Sequence, residues 1–158
     1  MASSVSRVGS VASALAEPTA ARPVMLVTFD VPFDAAAVEL AVDTAIESGQ
    51  KLIVVNVSAM PILPISMRLG FAYVESEELT AALRAPAELA QSLAVRVELL
   101  RVSTPRPVKA LLELVAERGP GLLVIGPDRA RIQERLYVRV AKRVRERANC
   151  LVWLAPED

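Results

Sequence analysis

The sequence predicts an α/β fold with one open, mostly parallel, five-stranded sheet and helices on both of its faces. Five short apolar runs alternate with longer segments in which apolar residues recur at helical spacing, which is typical of consecutive βαβ units. Most of the runs are continuously apolar, as expected of strands covered on both faces. No internal repeat and no second domain interrupt this pattern, which predicts a single domain over residues 23–158.

The first predicted strand, residues 24–29, ends at Asp30 and is followed by a turn at residues 31–34. Asp34 is a suitable N-cap for a helix over residues 35–48, and Gly49 supplies its C-terminal stop. The second strand is predicted at residues 51–57.

The connection at residues 58–73 is unusually apolar for a loop, although it contains two prolines and a glycine. Two interpretations remain open: a lid or oligomer contact, or a loop packed onto its own domain.

A helix is expected over residues 75–93, with a kink or a break at Pro86. The third strand, residues 95–102, carries enough charge to indicate an edge position. Thr104 is predicted to cap the next helix, with Pro105 in its first turn and Gly119 at its end.

The last βαβ unit is a strand at residues 122–125, an Arg-rich helix and a strand at residues 150–154. Asp128 is a good N-cap and no Gly or Pro interrupts residues 129–148, so one long helix beginning near Asp128 is predicted.

The amino-acid composition excludes several classes of function. Lys and Arg total 18, as do Asp and Glu, so net charge recruits neither nucleic acid nor an anionic membrane. The chain has no histidine, which excludes histidine-dependent catalytic triads and zinc sites of the usual kind. Its only cysteine, Cys150, cannot form an internal disulfide, which suits the cytoplasm. No apolar run approaches a membrane span, and residues 1–22 read as a disordered tail.

The chain resembles the universal stress protein family over about residues 23–154. The resemblance depends on the strand ending in Asp30, on Leu-Ile-Val-Val-Asn-Val at residues 52–57, on residues 107–126, and on Ala-Asn-Cys-Leu-Val-Trp-Leu at residues 148–154. It implies a Rossmann-like sheet, similar to that of the adenine nucleotide alpha hydrolases, with strand order 3-2-1-4-5. It also implies a homodimer built on the last strand, with contacts from Cys150, Leu151, Val152, Trp153 and Leu154.

Some members of that family bind ATP through G-x2-G-x9-G-[ST] after the fourth strand. Here Gly126 matches the first glycine, whereas Arg129, Arg139 and Val140 replace the other three residues. A long side chain then stands where the backbone must approach a phosphate, and the hydroxyl donor is missing. The adenine-side positions Asp30, Val57 and Ile125 match in type.

Several of these residues have two interpretations. Asp30 is either a ligand-binding carboxylate or a strand-end residue that caps the following turn. The segment 129–148 has a net charge of +6, which suits phosphate or RNA, but its coherent apolar stripe favours an ordinary solvated helix. Cys150 is read as a packing residue, and Trp153 as a dimer contact rather than core.

The leading hypothesis is a cytoplasmic, homodimeric, non-catalytic stress-response module without a cofactor, which acts through an unidentified protein partner. The alternative is a nucleotide-binding switch that uses Asp30, Val57, Ile125 and Gly126 to hold ATP or AMP. An ATP pyrophosphatase of similar architecture is disfavoured, because its Ser-Gly-Gly-x-Asp-Ser loop is absent after the first strand.

Overall fold

The computed structural model describes residues 22–59 and 77–156. The predicted tail at residues 1–22 lies outside this part of the chain except for Arg22, as does nearly all of the apolar connection at residues 58–73.

The described residues form a five-stranded sheet and four helices in strict alternation. The strands are β1 (Val24–Thr28), β2 (Leu52–Ala59), β3 (Val97–Thr104), β4 (Leu122–Ile125) and β5 (Leu151–Leu154). The helices are α1 (Ala35–Ser48), α2 (Glu77–Ser92), α3 (Pro107–Arg118) and α4 (Glu134–Arg147). All pairings are parallel and the strand order is β3-β2-β1-β4-β5. The predicted fold class and strand order are therefore confirmed.

Helices cover both faces of the sheet and divide the core in two. Along β1, Met25 and Val27 face the side of α3 and α4, whereas Val24 and Leu26 face the side of α1 and α2. Because alternate residues of a strand point to opposite faces, a strand covered on both sides must be apolar throughout. All five residues of β1 are buried.

Both ends of α1 are capped by the residues that the sequence predicts. The Asp34 carboxylate accepts a hydrogen bond from the Ala37 N–H at 3.0 Å. Gly49 ends the helix with a left-handed backbone, φ 68°, and its N–H donates to the last carbonyls of the helix.

Helix α2 runs across Pro86, so the predicted break does not occur, and the predicted kink stays a prediction. Proline removes one helical hydrogen bond, but Pro86 is itself buried, and that packing offsets the loss.

Helix α3 starts later than predicted, at Pro107. Arg106 occupies the N-cap position and contributes no side-chain hydrogen bond, while the Thr104 hydroxyl accepts from the Arg106 N–H at 3.0 Å. Thr104 therefore closes a turn before the helix, and Pro107 rather than Pro105 is the proline of the first turn.

Helix α4 begins at Glu134 and not near Asp128, so the prediction of one long helix over residues 129–148 is wrong. The Asp128 carboxylate accepts from the Ala130 N–H at 3.0 Å, and its carbonyl accepts from Arg131 and Ile132. These bonds close a local turn, because a short carboxylate can satisfy a turn as well as a helix start. Residues 129–133 are therefore a loop, and Val140 lies within α4.

None of the helices in the described ranges is long and apolar enough to cross a membrane.

Candidate functional site

The candidate site lies where the carboxyl ends of β1, β2 and β4 meet. β1 sits between the other two, and the chain leaves β1 and β4 in loops that touch each other. The Asp34 N–H donates to the Gly126 carbonyl at 2.9 Å, and the Asp128 N–H donates to the Pro32 carbonyl at 2.8 Å. Crevices of this kind, where the strand order reverses, are the usual ligand sites of open α/β sheets.

Asp30 is the polar centre of this end of the sheet. Its carboxylate accepts from Asn56 Nδ2 at 3.0 Å and from the Ser58 hydroxyl at 2.7 Å. Its own N–H donates to Asn56 Oδ1 at 2.8 Å. Asp30 also has a positive φ of 57°, a left-handed conformation that aspartate tolerates better than most residues. The side chain thus ties the end of β1 to β2.

Asn56 and Ser58 were not singled out by the sequence analysis as members of this cluster. Their exposed fractions are only 5% and 6%, and they are among the few polar residues in the core. The spacing of Asn56 and Ser58 could have indicated this cluster. Two polar residues two positions apart at the end of an apolar strand lie on the same face of the sheet.

Val57 and Ile125, the other predicted adenine-side residues, are fully buried. Both side chains belong to the core cluster on the side of α3 and α4. They therefore offer backbone groups, not side chains, to any ligand at the carboxyl ends of the strands.

Gly126 is needed for packing. A Cβ at this position would overlap the Cβ of Ala37 and lie 3.2 Å from Leu26 Cδ1. The glycine therefore lets the first turn of α1 pack closely against the end of β4, independently of any phosphate.

Arg129 is held by protein groups. Its Nη1 donates to the Ala155 carbonyl at 3.1 Å, and its Nη2 donates to both Glu134 carboxylate oxygens at 3.2 Å. Its guanidinium carbon lies 3.7 Å from the centre of the Tyr137 ring. The Arg129 side chain is only 9% exposed, so little of it is accessible to a ligand.

Tyr137 completes this cluster. Its hydroxyl donates to the Ala155 carbonyl at 2.7 Å, so one carbonyl accepts from both residues. Burial raises the pKa of Tyr137, although the positive charge of Arg129 opposes the increase. The phenol therefore stays protonated and remains a hydrogen-bond donor.

The other two replaced motif positions lie elsewhere. Val140 is fully buried in the core, whereas Arg139 is exposed on α4 and lines a groove against α3. The structure therefore does not bring Arg129, Arg139 and Val140 together as a phosphate cradle.

The predicted dimer contact is an edge strand. Within the sheet, β5 pairs only with β4, and Leu151 is 74% exposed. Cys150 is half-buried, and burial raises the pKa of its thiol, which disfavours the reactive thiolate. Trp153 is also half-buried and packs against the core cluster of α1 and α2.

Among the described residues, no group of three or more Cys, Asp or Glu side chains is placed to hold a metal ion.

The universal stress protein family model matches residues 20–156. This chain belongs to the universal stress protein family. No curated protein matches it in sequence.

Solved structures of other universal stress proteins share the fold. One described as in complex with cAMP is 24% identical, with a TM-score of 0.57, and the match covers 87% of this chain and 98% of that one. The protein from Archaeoglobus fulgidus in complex with dAMP is 17% identical, with a TM-score of 0.55, and the match covers 84% and 96%. The Arabidopsis thaliana protein with AMP bound is 15% identical, with a TM-score of 0.55, and the match covers 86% and 93%.

Proposed function

We propose that this universal stress protein is a cytoplasmic, homodimeric regulatory module that has no catalytic activity and does not use the ATP phosphate motif. It acts through contacts with a protein partner rather than by chemistry on a bound nucleotide.

The arrangement of Arg129 is the observation that carries this proposal. The residue occupies the second glycine position of the ATP motif, yet Glu134, Tyr137 and Ala155 hold its guanidinium. Recruiting it to a phosphate would break a charge-assisted hydrogen bond pair and a cation–π contact in a nearly buried site. Val140, at the hydroxyl position of the motif, is core.

The absence of catalysis is proposed on chemical grounds. The chain lacks histidine, and the central carboxylate, Asp30, already accepts from Asn56 and Ser58. Both interactions tie this carboxylate to the ends of two strands, so its oxygens are already engaged in structural contacts.

A second candidate function, a nucleoside monophosphate switch, is favoured by the cluster of Asp30, Asn56 and Ser58. The cluster offers a partly exposed carboxylate at the end of the sheet. The structural relatives named above were solved with cAMP, dAMP and AMP, ligands that carry one phosphate. A ligand with one phosphate needs fewer phosphate contacts from the replaced motif than a triphosphate does.

Two measurements on the full chain separate these functions. Mass spectrometry of small molecules released by denaturation identifies any nucleotide that co-purifies. Calorimetry then measures binding of ATP, AMP and cAMP to the wild type and to Asp30→Asn. The proposed function predicts no released nucleotide and no saturable heat with any of the three. Binding of AMP or cAMP but not ATP, lost in Asp30→Asn, would support the switch, and tight ATP binding by the wild type would contradict both.

A further inference from the structure

Helix α4 carries a stripe of three arginines, Arg139, Arg143 and Arg147, here called the basic stripe. They recur every fourth residue and all three are exposed. The stripe forms one wall of a groove of about 370 Å³ between α3 and α4, which is also lined by Lys109 and by the half-buried Val108 and Leu112. The groove therefore has a cationic wall and an apolar floor.

Helix α1 carries the opposite pattern, Glu39, Asp43 and Glu47, here called the acidic stripe. These residues also recur every fourth position and are exposed. Ile46 follows Asp43 by three positions and is 45% exposed, so it lies on the same face of the helix. The acidic stripe therefore carries an apolar side chain among its carboxylates.

Each stripe places three charges of the same sign along one helix. Like charges four positions apart on a helix repel each other. In residues 22–59 and 77–156, none of the six side chains forms an ion pair, whereas Lys109 is already paired with Glu113 at 3.8 Å. Three unneutralised arginines thus stand in the groove, and three unneutralised carboxylates stand on α1.

The two stripes cannot meet within one molecule, because α1 and α4 pack on opposite faces of the sheet. We propose that α1 of one copy docks in the groove between α3 and α4 of another copy, with the acidic stripe against the basic stripe. On both helices, successive charges lie about 6 Å apart along the axis, so the stripes match in spacing as well as in number.

The apolar groups favour a second copy over a polyanion such as RNA. Ile46 projects from the acidic stripe and complements Val108 and Leu112 on the groove floor. A phosphate chain would neutralise the arginines but would leave this floor uncovered.

The contact joins two different surfaces, so in a pair of copies one still has a free groove and the other still has a free acidic stripe. Such heterologous contacts build rings or open chains of copies. Exposed ion pairs are individually weak and are screened by salt, so assembly is expected at high protein concentration and low ionic strength.

Sedimentation velocity of the full chain tests the proposal, with two charge-reversed variants. One carries Arg139→Glu, Arg143→Glu and Arg147→Glu, and the other carries Glu39→Lys, Asp43→Lys and Glu47→Lys. The wild type should show a concentration-dependent increase in sedimentation coefficient at about 20 mM salt that disappears at about 500 mM. Each variant alone should lose the increase, and an equimolar mixture should regain it, because the reversed groove of one matches the reversed α1 of the other.

A control variant with Arg84→Glu, Arg96→Glu and Lys142→Glu makes the same change in net charge on exposed residues outside the groove, and should assemble like the wild type. Circular dichroism melting establishes that all variants are folded. Failure of the mixture to regain assembly would overturn the proposal. So would micromolar binding of a labelled oligonucleotide that only the groove variant loses, since that result would assign the groove to a polyanion.

Discussion

Arg129 lies face-on over Tyr137, with its guanidinium carbon 3.7 Å from the centre of the ring, and both side chains donate to the Ala155 carbonyl. The pair joins the loop after β4, helix α4 and the segment after β5. The arginine that replaces the second glycine of the ATP-binding motif therefore connects three segments of the fold.

Truncating that arginine should destabilise the fold. Arg129→Ala removes the cation–π contact and the hydrogen bonds to Glu134 and Ala155, and should lower the free energy of unfolding by about 2–3 kcal/mol in urea denaturation. The matched control is Arg131→Ala in the same loop, where the side chain is 67% exposed and its contact with Asp128 is 3.8 Å long. The control should change stability by less than about 0.5 kcal/mol. Equal effects of the two substitutions would contradict a structural role for Arg129.

The loop that contains Arg129 also shows where sequence reasoning succeeded and failed. The strand order, the Asp34 cap and the Gly49 stop were predicted correctly, because they follow from local composition and from the family resemblance. The start of α4 was predicted wrongly, because Asp128 caps a turn as readily as a helix, and here it closes a turn. The partners of Asp30 were missed for a similar reason: Asn56 and Ser58 lie 26 and 28 residues away in the chain.

Gly126 provides a test of close packing between β4 and α1. Gly126→Ala introduces a methyl group that overlaps the Cβ of Ala37, and should destabilise the fold by about 1–3 kcal/mol. Ala37→Gly costs about 1 kcal/mol by itself, since glycine is unfavourable in a helix, but it removes the overlap. The double variant should therefore be more stable than the sum of the single effects predicts, by about 1 kcal/mol or more. Strict additivity in urea denaturation would show that the glycine is not required by Ala37.

Glu98 should make the stability of the protein depend on pH in the acid range. It pairs with Lys51 and, at 2.8 Å, with Arg118. The hydrogen bond from Lys51 makes the largest contribution to lowering the pKa of Glu98, and Arg118 lowers it further. The folded state stabilises the ionised carboxylate of Glu98 more than the unfolded chain does. The contribution of Glu98 to the free energy of unfolding is therefore complete above its unfolded pKa, about 4.3. This contribution is lost as the pH falls through the lower folded pKa.

The measurement compares the wild type with Glu98→Gln. At pH 7 the wild type should have the higher urea midpoint, and the difference should shrink steadily between about pH 5 and pH 3 as Glu98 takes up a proton. Lys109→Gln, which affects only an exposed pair at 3.8 Å, serves as the control and should show no comparable trend. A wild-type advantage that stays constant down to pH 3 would show that the ion pair of Glu98 does not stabilise the folded state.

The proposed homodimer depends on β5, and Leu151 is the residue that tests it most directly. An apolar edge strand tends to pair with another strand, because its outer backbone groups have no partner within the sheet. Leu151→Asp places a charge on that edge, where the leucine is 74% exposed in one copy, so it should cost the monomer little. In a dimer built on this strand, the two aspartates would lose solvation near the two-fold axis, and the dimer should dissociate at micromolar concentration.

The control is Leu99→Asp on β3, the opposite edge of the sheet, where Leu99 is 47% exposed. Light scattering should find a dimer for the wild type and for Leu99→Asp, and a monomer for Leu151→Asp. A wild-type monomer would reject the homodimer, and a Leu151→Asp dimer would place the interface on another surface.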